Sequence, residues 1–254
     1  MKIASWNVNS IRVREQQVLD WLESEQPDVL GLQEIKMPSE NFPLEVFAEA
    51  GYHSAVDGQK TYNGVALLSR VEAAELHCAV PDFADEQKRA IAGTFGDTRV
   101  INLYVPNGKA VGDEKYEYKL NWLAALYTWV AAEMQAHDKV VVMGDFNIAP
   151  DDRDVHAPEE WQDKILCSEA ERAALQKLID LGLQDSFRLF DQDEKLFSWW
   201  DYRAAGFRRN RGMRIDLLLV SKAVADSCTA SRIDKEPRKL ERPSDHAPVL
   251  VEFS

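Results

Sequence analysis

The stretch Lys139–Pro150 reads KVVVMGDFNIAP, and the rest of the chain is best read from it. Val140, Val141, Val142 and Met143 form an unbroken apolar run, too short for most helices and rich in β-branched residues. Such a run predicts a central strand buried on both faces. It stops at Gly144, Asp145, Phe146 and Asn147. Side chains alternate along a strand, so Asp145 and Asn147 leave on one side, at the rim of a sheet. In α/β sheets that rim is where ligands sit. Gly, Asp and Asn are also ordinary turn formers, so a plain turn is the competing reading of this stretch taken alone.

Similar endings recur along the chain. Lys2–Trp6 predicts a strand that runs into Asn7, Val8, Asn9 and Ser10. Arg14–Glu25 predicts a helix with Val18, Trp21 and Leu22 as its apolar stripe, broken by Pro27 and Asp28. Val29–Leu32 predicts a second buried strand, ending in Gln33 and Glu34. A carboxylate leaving a buried strand is expensive unless it is paired or binds metal; Lys36 is the paired alternative in the sequence. Pro43–Ala50 suits a short helix, and Tyr62–Ser69 a strand opened by the Asn63-Gly64 turn. Ile91–Phe95 and Arg99–Tyr104 predict a hairpin around Gly96-Asp97. After Tyr104, Pro106 stops the strand and Asn107-Gly108 marks a turn.

Glu114–Gln135 predicts a long amphipathic helix with Leu120, Leu123, Tyr127, Val130 and Met134 on its apolar side. Asp151–Cys167 is polar and irregular, and Ser168 with Glu171 forms a capping-box pattern for a helix reaching Leu181. Leu196–Tyr202 is aromatic-rich, and Ala204–Arg214 is a loop carrying four arginines. Ile215–Val220 predicts a strand with Asp216 near its start, and Pro243–Pro248 turns into a last strand, Val249–Phe253. The WNVN and GDFN endings echo one another and hint at a duplicated half. Strands alternate with helices early and form hairpins later, which predicts mixed sheets covered by helices, an α/β sandwich.

The chain has 254 residues and 45% hydrophobic content, enough core for one large domain or two small ones. No linker is visible, so a single domain over residues 1–254 is expected. Cys78, Cys167 and Cys228 show neither a disulfide framework nor a zinc spacing, which predicts reduced thiols in a cytoplasmic chain. No segment approaches a membrane span, since Leu123–Ala132 is interrupted by Tyr127 and Thr128. The first residues, MKIASWNVNS, lack the apolar region of a signal peptide. A formal net charge of −13 argues, by global charge alone, against nucleic acid. Contact depends on where charges lie, however, and Arg208, Arg209, Arg211 and Arg214 cluster, as do Arg238, Lys239 and Arg242. An acidic protein with basic patches and a carboxylate-lined pocket can meet a polyanion through a divalent metal.

The polar residues at the predicted strand ends are Asn7, Glu34, Tyr104, Asn107, Asp145, Asn147, Asp216, Asp245 and His246. Together they supply what a metal-assisted phosphoester hydrolase needs. Hard divalent cations take oxygen ligands, and an attacking water needs a carboxylate base. The pentacovalent phosphate needs neutral or cationic donors, and a His held by an Asp is such a donor in a fixed tautomer.

The same residues lie in motifs: WNVN at Trp6–Asn9, LQE at Leu32–Glu34, YVPNG at Tyr104–Gly108, GDFN at Gly144–Asn147, RID at Arg214–Asp216 and SDHAP at Ser244–Pro248. In this order they resemble the exonuclease III family of apurinic/apyrimidinic endonucleases, within the superfamily that includes deoxyribonuclease I. The resemblance runs from the first ten residues to the last ten. It implies a four-layer α/β sandwich of two mixed β-sheets flanked by helices. It implies a Mg2+-dependent DNA repair nuclease, with Mn2+ a substitute, hydrolysing phosphodiesters at abasic sites and blocked 3′ ends of duplex DNA. A monomer acting away from membranes is expected.

Roles follow from the resemblance residue by residue. Glu34 looks like the principal Mg2+ ligand, with Asn7 close by and Asp245 on the same metal side. Asp145 resembles the group that deprotonates the attacking water, and Asn147 the donor to the phosphate oxyanion. A second ion near Asp145 and Asn147 is an open alternative to a single one. His246, oriented by Asp216, would contact the scissile phosphate, as would Tyr104 and Asn107. Trp199, Met213 and Ile215 match the small apolar pocket that admits a flipped-out baseless sugar, whose extrusion costs least where the base is already gone. Core packing is the competing reading for Trp199 and Trp200, and Met213 departs from the bulkier or branched residues common there. Arg208 and Arg209, in the Arg208–Arg211 loop, are candidates for a phosphate clamp, against a merely solvated loop.

Two other functions compete. One is a superfamily phosphatase acting on inositol phosphates, or a sphingomyelinase; YVPNG and GMRID resemble the DNA-repair branch instead. The other is a non-catalytic relative kept as a binding module. That relative would have no use for Glu34, Asp145, Asn147, Asp216, Asp245 and His246 gathered at one rim, where unliganded charge is electrostatically wasteful.

Overall fold

The computed structural model describes residues 1–254. The first part of the chain forms β1 (Lys2–Asn7), α1 (Ile11–Glu25), β2 (Val29–Gln33), α2 (Leu44–Glu49), β3 (His53–Asp57), β4 (Val65–Ser69) and β5 (Ala74–Cys78). The middle forms β6 (Ala90–Phe95), β7 (Thr98–Tyr104), α3 (Glu114–Ala136), β8 (Lys139–Asp145), α4 (Pro158–Trp161), α5 (Glu169–Ile179) and β9 (Gln184–Asp185). The rest forms β10 (Trp199–Trp200), β11 (Gly212–Met213), β12 (Asp216–Val220), α6 (Lys222–Ala225), β13 (Cys228–Ile233) and β14 (Val249–Phe253).

Two six-stranded sheets result, ordered β13-β14-β1-β2-β4-β3 and β5-β6-β7-β8-β12-β9. Both are mixed: β1 pairs parallel with β2 and β7 with β8, and their other neighbours run antiparallel. The layers follow from alternation along single strands. In β8, Val141 and Met143 enter the core between the sheets, while Val140 and Val142 face the core under α3 and α5. In β1, Ile3 faces the other sheet and Ala4 and Trp6 face α1, where Val18, Trp21 and Leu22 meet them. A strand buried on both faces needs apolar residues at every position, which is why these runs do not alternate with polar ones. The architecture is the expected four-layer α/β sandwich, helices outside and two mixed sheets within.

Several details differ from the sequence reading. The buried face of α3 carries Tyr116, Lys119, Trp122, Leu123, Leu126, Trp129 and Val130, while Tyr127 is exposed. The reading from Leu120 and Tyr127 was therefore rotated toward solvent; Trp122 and Trp129, the larger apolar surfaces, take the core. Helix α1 starts three residues earlier than Arg14, and β4 starts at Val65 rather than Tyr62. Strands β3, β5 and β13 were not anticipated; β5 is exposed along its whole length and so lacks an apolar pattern. No helix is long and apolar enough to cross a membrane.

Register brings the strand ends together. Asn7 pairs with Gln33, Tyr104 with Asp145, and Asp145 with Asp216. The parallel strands β1, β2, β7 and β8 thus end at one edge of the sandwich, and antiparallel β12 begins there. Gly144 allows this close pairing: at φ +145° it occupies a conformation L side chains rarely adopt, and a Cβ there would lie 1.9 Å from Leu103 O. The sheets are also tied through their interior, where Gln33 Nε2 donates to Ser5 Oγ at 2.9 Å and Asn102 Oδ1 at 2.6 Å.

Candidate active site

Glu34, Asp145 and His246 place ligand atoms within 4.8 Å of one another at this edge. Asn7 bridges the two carboxylates: its Nδ2 donates to Glu34 Oε1 at 3.0 Å and Asp145 Oδ2 at 2.9 Å. Its Oδ1 accepts from Asn9 N at 3.0 Å, so Asn7 offers the carboxylates a donor rather than a cation an oxygen. Lys36 Nζ lies 2.8 Å from Glu34 Oε2. The ion pair that competed with a metal role for Glu34 therefore exists, and Glu34 still joins the cluster.

Asp145 and Asn147 leave the end of β8 together, as their spacing required. Asn147 N donates to Asp145 Oδ1 at 2.9 Å, with Asn147 at φ +49°. Asn107 Nδ2 donates to Asn147 Oδ1 at 3.1 Å, and Asn147 Nδ2 donates to Val105 O at 3.0 Å. His246 Nδ1 donates to Asp216 Oδ2 at 2.9 Å, which leaves Nε2 facing the cleft 3.7 Å from Asp145 Oδ2. Ser244 and Trp6 hold the His246 backbone, through its N–H and its carbonyl respectively.

The electrostatics follow from burial. Burial lifts the Asp145 carboxyl, helped by Asp216 and opposed by His246, up to about 7. Burial opposes charge on His246, but Asp216 and Asp145 outweigh it and push the imidazole up to about 10. Burial, with the charges of Glu34 and Asp145, raises the Tyr104 phenol well above its ordinary value despite Arg89 nearby. Tyr104 is thus a neutral hydroxyl beside two carboxylates. Two carboxylates converging beside Lys36 and His246 form an oxygen-donor set that could hold a hard divalent cation.

Asp245 stands outside the cluster of three. Its Oδ1 accepts from Asn9 Nδ2 at 2.9 Å and its Oδ2 from Trp199 Nε1 at 3.1 Å. Burial works against its charge, but His246, Trp199 and Asn9 hold the carboxyl below its ordinary value. Trp199, Met213 and Ile215 do meet in one apolar cluster with Ala149, Val155 and Leu166. Met213 and Ile215 are fully buried behind Trp199, and a cavity of about 300 Å³ lined by Trp199, Trp161, His156, Lys164, Arg203 and Arg211 opens beside it. Arg208 and Arg209 are exposed on their loop. Arg214 is not part of a surface patch: it is buried against Asp154 and Asp185 at 2.7 Å each. Arg238 likewise lies buried among Trp200, Tyr202 and Phe207. The two basic clusters of the sequence therefore each give up one member to the interior.

Lys119 escaped the sequence reading. It is fully buried in α3 and donates to Asn147 O at 2.7 Å. A signal was available, because Lys119 falls in helical phase with Tyr116, Leu123 and Leu126. The role of Asn9, which joins Lys36 to Asp245, had no such signal.

Comparison with known proteins agrees with this geometry. The profile of the Endonuclease/Exonuclease/phosphatase family matches residues 4–246. Exodeoxyribonuclease III of Haemophilus influenzae is 41% identical over 266 residues, covering 100% of both chains. A 3′ phosphatase, NExo, from Neisseria, solved bound to a product DNA hairpin, superposes with a TM-score of 0.99 at 48% identity, over 100% of this chain and 99% of that one. An AP endonuclease from Archaeoglobus fulgidus superposes with a TM-score of 0.96 at 36% identity, over 100% of this chain and 99% of that one. Matched along its whole length in sequence and in fold by these relatives, the chain belongs to the exodeoxyribonuclease III branch of the endonuclease/exonuclease/phosphatase family.

Proposed function

We propose that this protein is a Mg2+-dependent nuclease, with Mn2+ as a substitute, that repairs duplex DNA at abasic sites and blocked 3′ ends. It acts as a monomer, through one catalytic domain. The observation that carries the proposal is the convergence of Glu34, Asp145 and His246 within 4.8 Å, with His246 oriented by Asp216.

Glu34 would be the main ligand for the cation, with Asp145, Asp245 and Asn147 around it and Asn7 holding Glu34 and Asp145 in place through its Nδ2. A bound divalent cation supplies polarisation of the phosphoryl oxygen and stabilisation of the departing alkoxide. Asp145, raised to about 7, accepts the proton of the attacking water. The charged His246 donates from Nε2 to a phosphate oxygen, since Asp216 occupies Nδ1. Asn147 retains an amide hydrogen beyond the one given to Val105 and donates it to the developing oxyanion. Tyr104, kept neutral, and Asn107 complete the phosphate contacts. Trp199, with Met213 and Ile215 behind it, forms the wall against which a baseless sugar packs. Arg208 and Arg209, exposed on their loop, contact the strand beyond it in this reading.

The relatives are named as an exodeoxyribonuclease, a 3′ phosphatase and an AP endonuclease, so the test compares matched duplexes. One bears an internal abasic site, one a 3′-phosphate, and one a plain recessed 3′ end; an inositol polyphosphate serves as the non-DNA control. The proposal expects turnover on at least one of the two damaged duplexes with Mg2+, restored by Mn2+, abolished by EDTA and nearly abolished in Glu34→Gln. Turnover of the inositol polyphosphate alone, or activity indifferent to EDTA, would overturn it.

A further inference from the structure

Lys119 sits in the second turn of α3 with its side chain fully buried, and nothing in the chemistry above uses it. Its ammonium donates to Asn147 O at 2.7 Å, to Asn107 O at 3.3 Å and to the Glu171 carboxylate. Glu171 is itself held by Leu166 N at 3.1 Å, Ser168 N at 3.1 Å and Ser168 Oγ at 2.6 Å, at the start of α5. One cation therefore ties two helices to the two loops that carry the asparagines of the site.

Those loops have unusual backbones. Asn147 is in the left-handed region at φ +49°, and Gly108, next to Asn107, is at φ +89°. A Cβ on Gly108 would lie 3.1 Å from Lys119 Cδ, so the turn folds directly over the lysine stem. The side chains of Asn107 and Asn147 bond each other. Lys119 is the group that anchors both of their main chains to a rigid element.

Stability alone is a poor account of this arrangement. A buried ion pair is often no better than well-packed apolar side chains of the same volume. Lys119 shares the buried face of α3 with Trp122, Leu123 and Leu126, which are all apolar. We propose that Lys119 is a positioning residue for phosphoester hydrolysis. It sets the spacing of Asn107 and Asn147 relative to Asp145, so that the Asn147 amide points to the phosphate. This rests on the reading of Asn147 as a phosphate donor.

The test uses steady-state kinetics of the full chain with Mg2+, alongside thermal melts, on Lys119→Met, Glu171→Gln and Asn147→Ala. In Lys119→Met, kcat falls about 10- to 100-fold while KM stays within about twofold, because misplacing a site group by about 1 Å costs that order. Glu171→Gln loosens the start of α5 and lowers the melting temperature, but it leaves the lysine on both carbonyls; its kcat stays within about threefold of wild type. Wild-type kcat in Lys119→Met, or kcat losses in both variants that simply track their melting temperatures, would overturn the proposal. If Lys119→Met fails to fold, the double variant Lys119→Met/Glu171→Met leaves no unpaired charge in the core and must show the same kcat loss. Asn147→Ala separates the two ideas: at wild-type rate it sinks the phosphate-donor reading, whereas a slow Asn147→Ala beside a fast Lys119→Met sinks only the role of Lys119.

Discussion

One amide nitrogen of Asn7 reaches both Glu34 and Asp145, and one carboxylate of Asp216 fixes the imidazole of His246. At this level the site is a balance of buried charge. Removing the Asp145 charge while keeping its shape takes away the base but not the surface that binds DNA. Asp145→Asn is therefore expected to lose at least about a hundredfold in kcat with DNA affinity retained; single-turnover kinetics beside a binding titration checks this. The buried imidazole also predicts a pH dependence in metal-free protein. His246 is raised from 6.5 to about 10, so its contribution to stability is complete below 6.5 and is lost as pH climbs through about 10. Asp145 runs the same way over a lower interval: raised from 3.8 to about 7, it costs stability as pH rises between those values and adds no further change above them. Urea unfolding between about pH 8 and pH 10.5 should thus show a decline that is smaller in His246→Gln. An equal decline in both proteins would mean that the imidazole is not held charged.

The elements deliver these residues through register rather than through their own side chains. Four strands of two parallel pairs end at one edge, and β12 enters that edge with Asp216 directly across from Asp145. Gly144 is the backbone condition for this pairing. Gly144→Ala puts a Cβ against Leu103 O in a conformation that only glycine adopts freely. The expected cost is about 3 kcal/mol, or roughly 5–10 °C in melting temperature for a chain of this length. Calorimetry of the variant measures it, and a shift below about 2 °C would show that the strand relaxes around the clash. Helix α5 behaves as its sequence said: Ser168 and Glu171 cap each other, and Glu171 also meets Lys119. The capping motif was visible because it is local, and the second partnership was not, because it spans 52 positions.

For the molecule as a whole, a net charge of −13 would repel a polyanion if it were spread evenly. Around the cavity beside Trp199, however, Lys164, Arg203 and Arg211 outnumber Glu160 and Asp201, and Arg208 and Arg209 are exposed on the adjoining loop. Binding of duplex DNA should therefore weaken with salt. Three or four phosphate contacts give a loss of affinity of roughly 40- to 150-fold between 50 and 200 mM salt. A flat response in a fluorescence-anisotropy titration would argue against these contacts. Much of this protein was legible in its sequence. The apolar runs of β1, β2, β7, β8 and β12, the polar residues at their ends and the order of the motifs are local features, and hydrophobic patterning determines local features. The family resemblance also grouped Trp199, Met213 and Ile215, and the fold brings them into one apolar cluster. Other things depended on distant segments meeting. The inward turn of Arg214 and Arg238, the capture of Asp245 by Asn9 and Trp199, and the burial of Lys119 beneath two loops are all of this kind. Only the tertiary structure settles such contacts, because whether a charge is solvated or paired depends on which groups the packed sheets bring within a few ångströms, not on its neighbours along the chain.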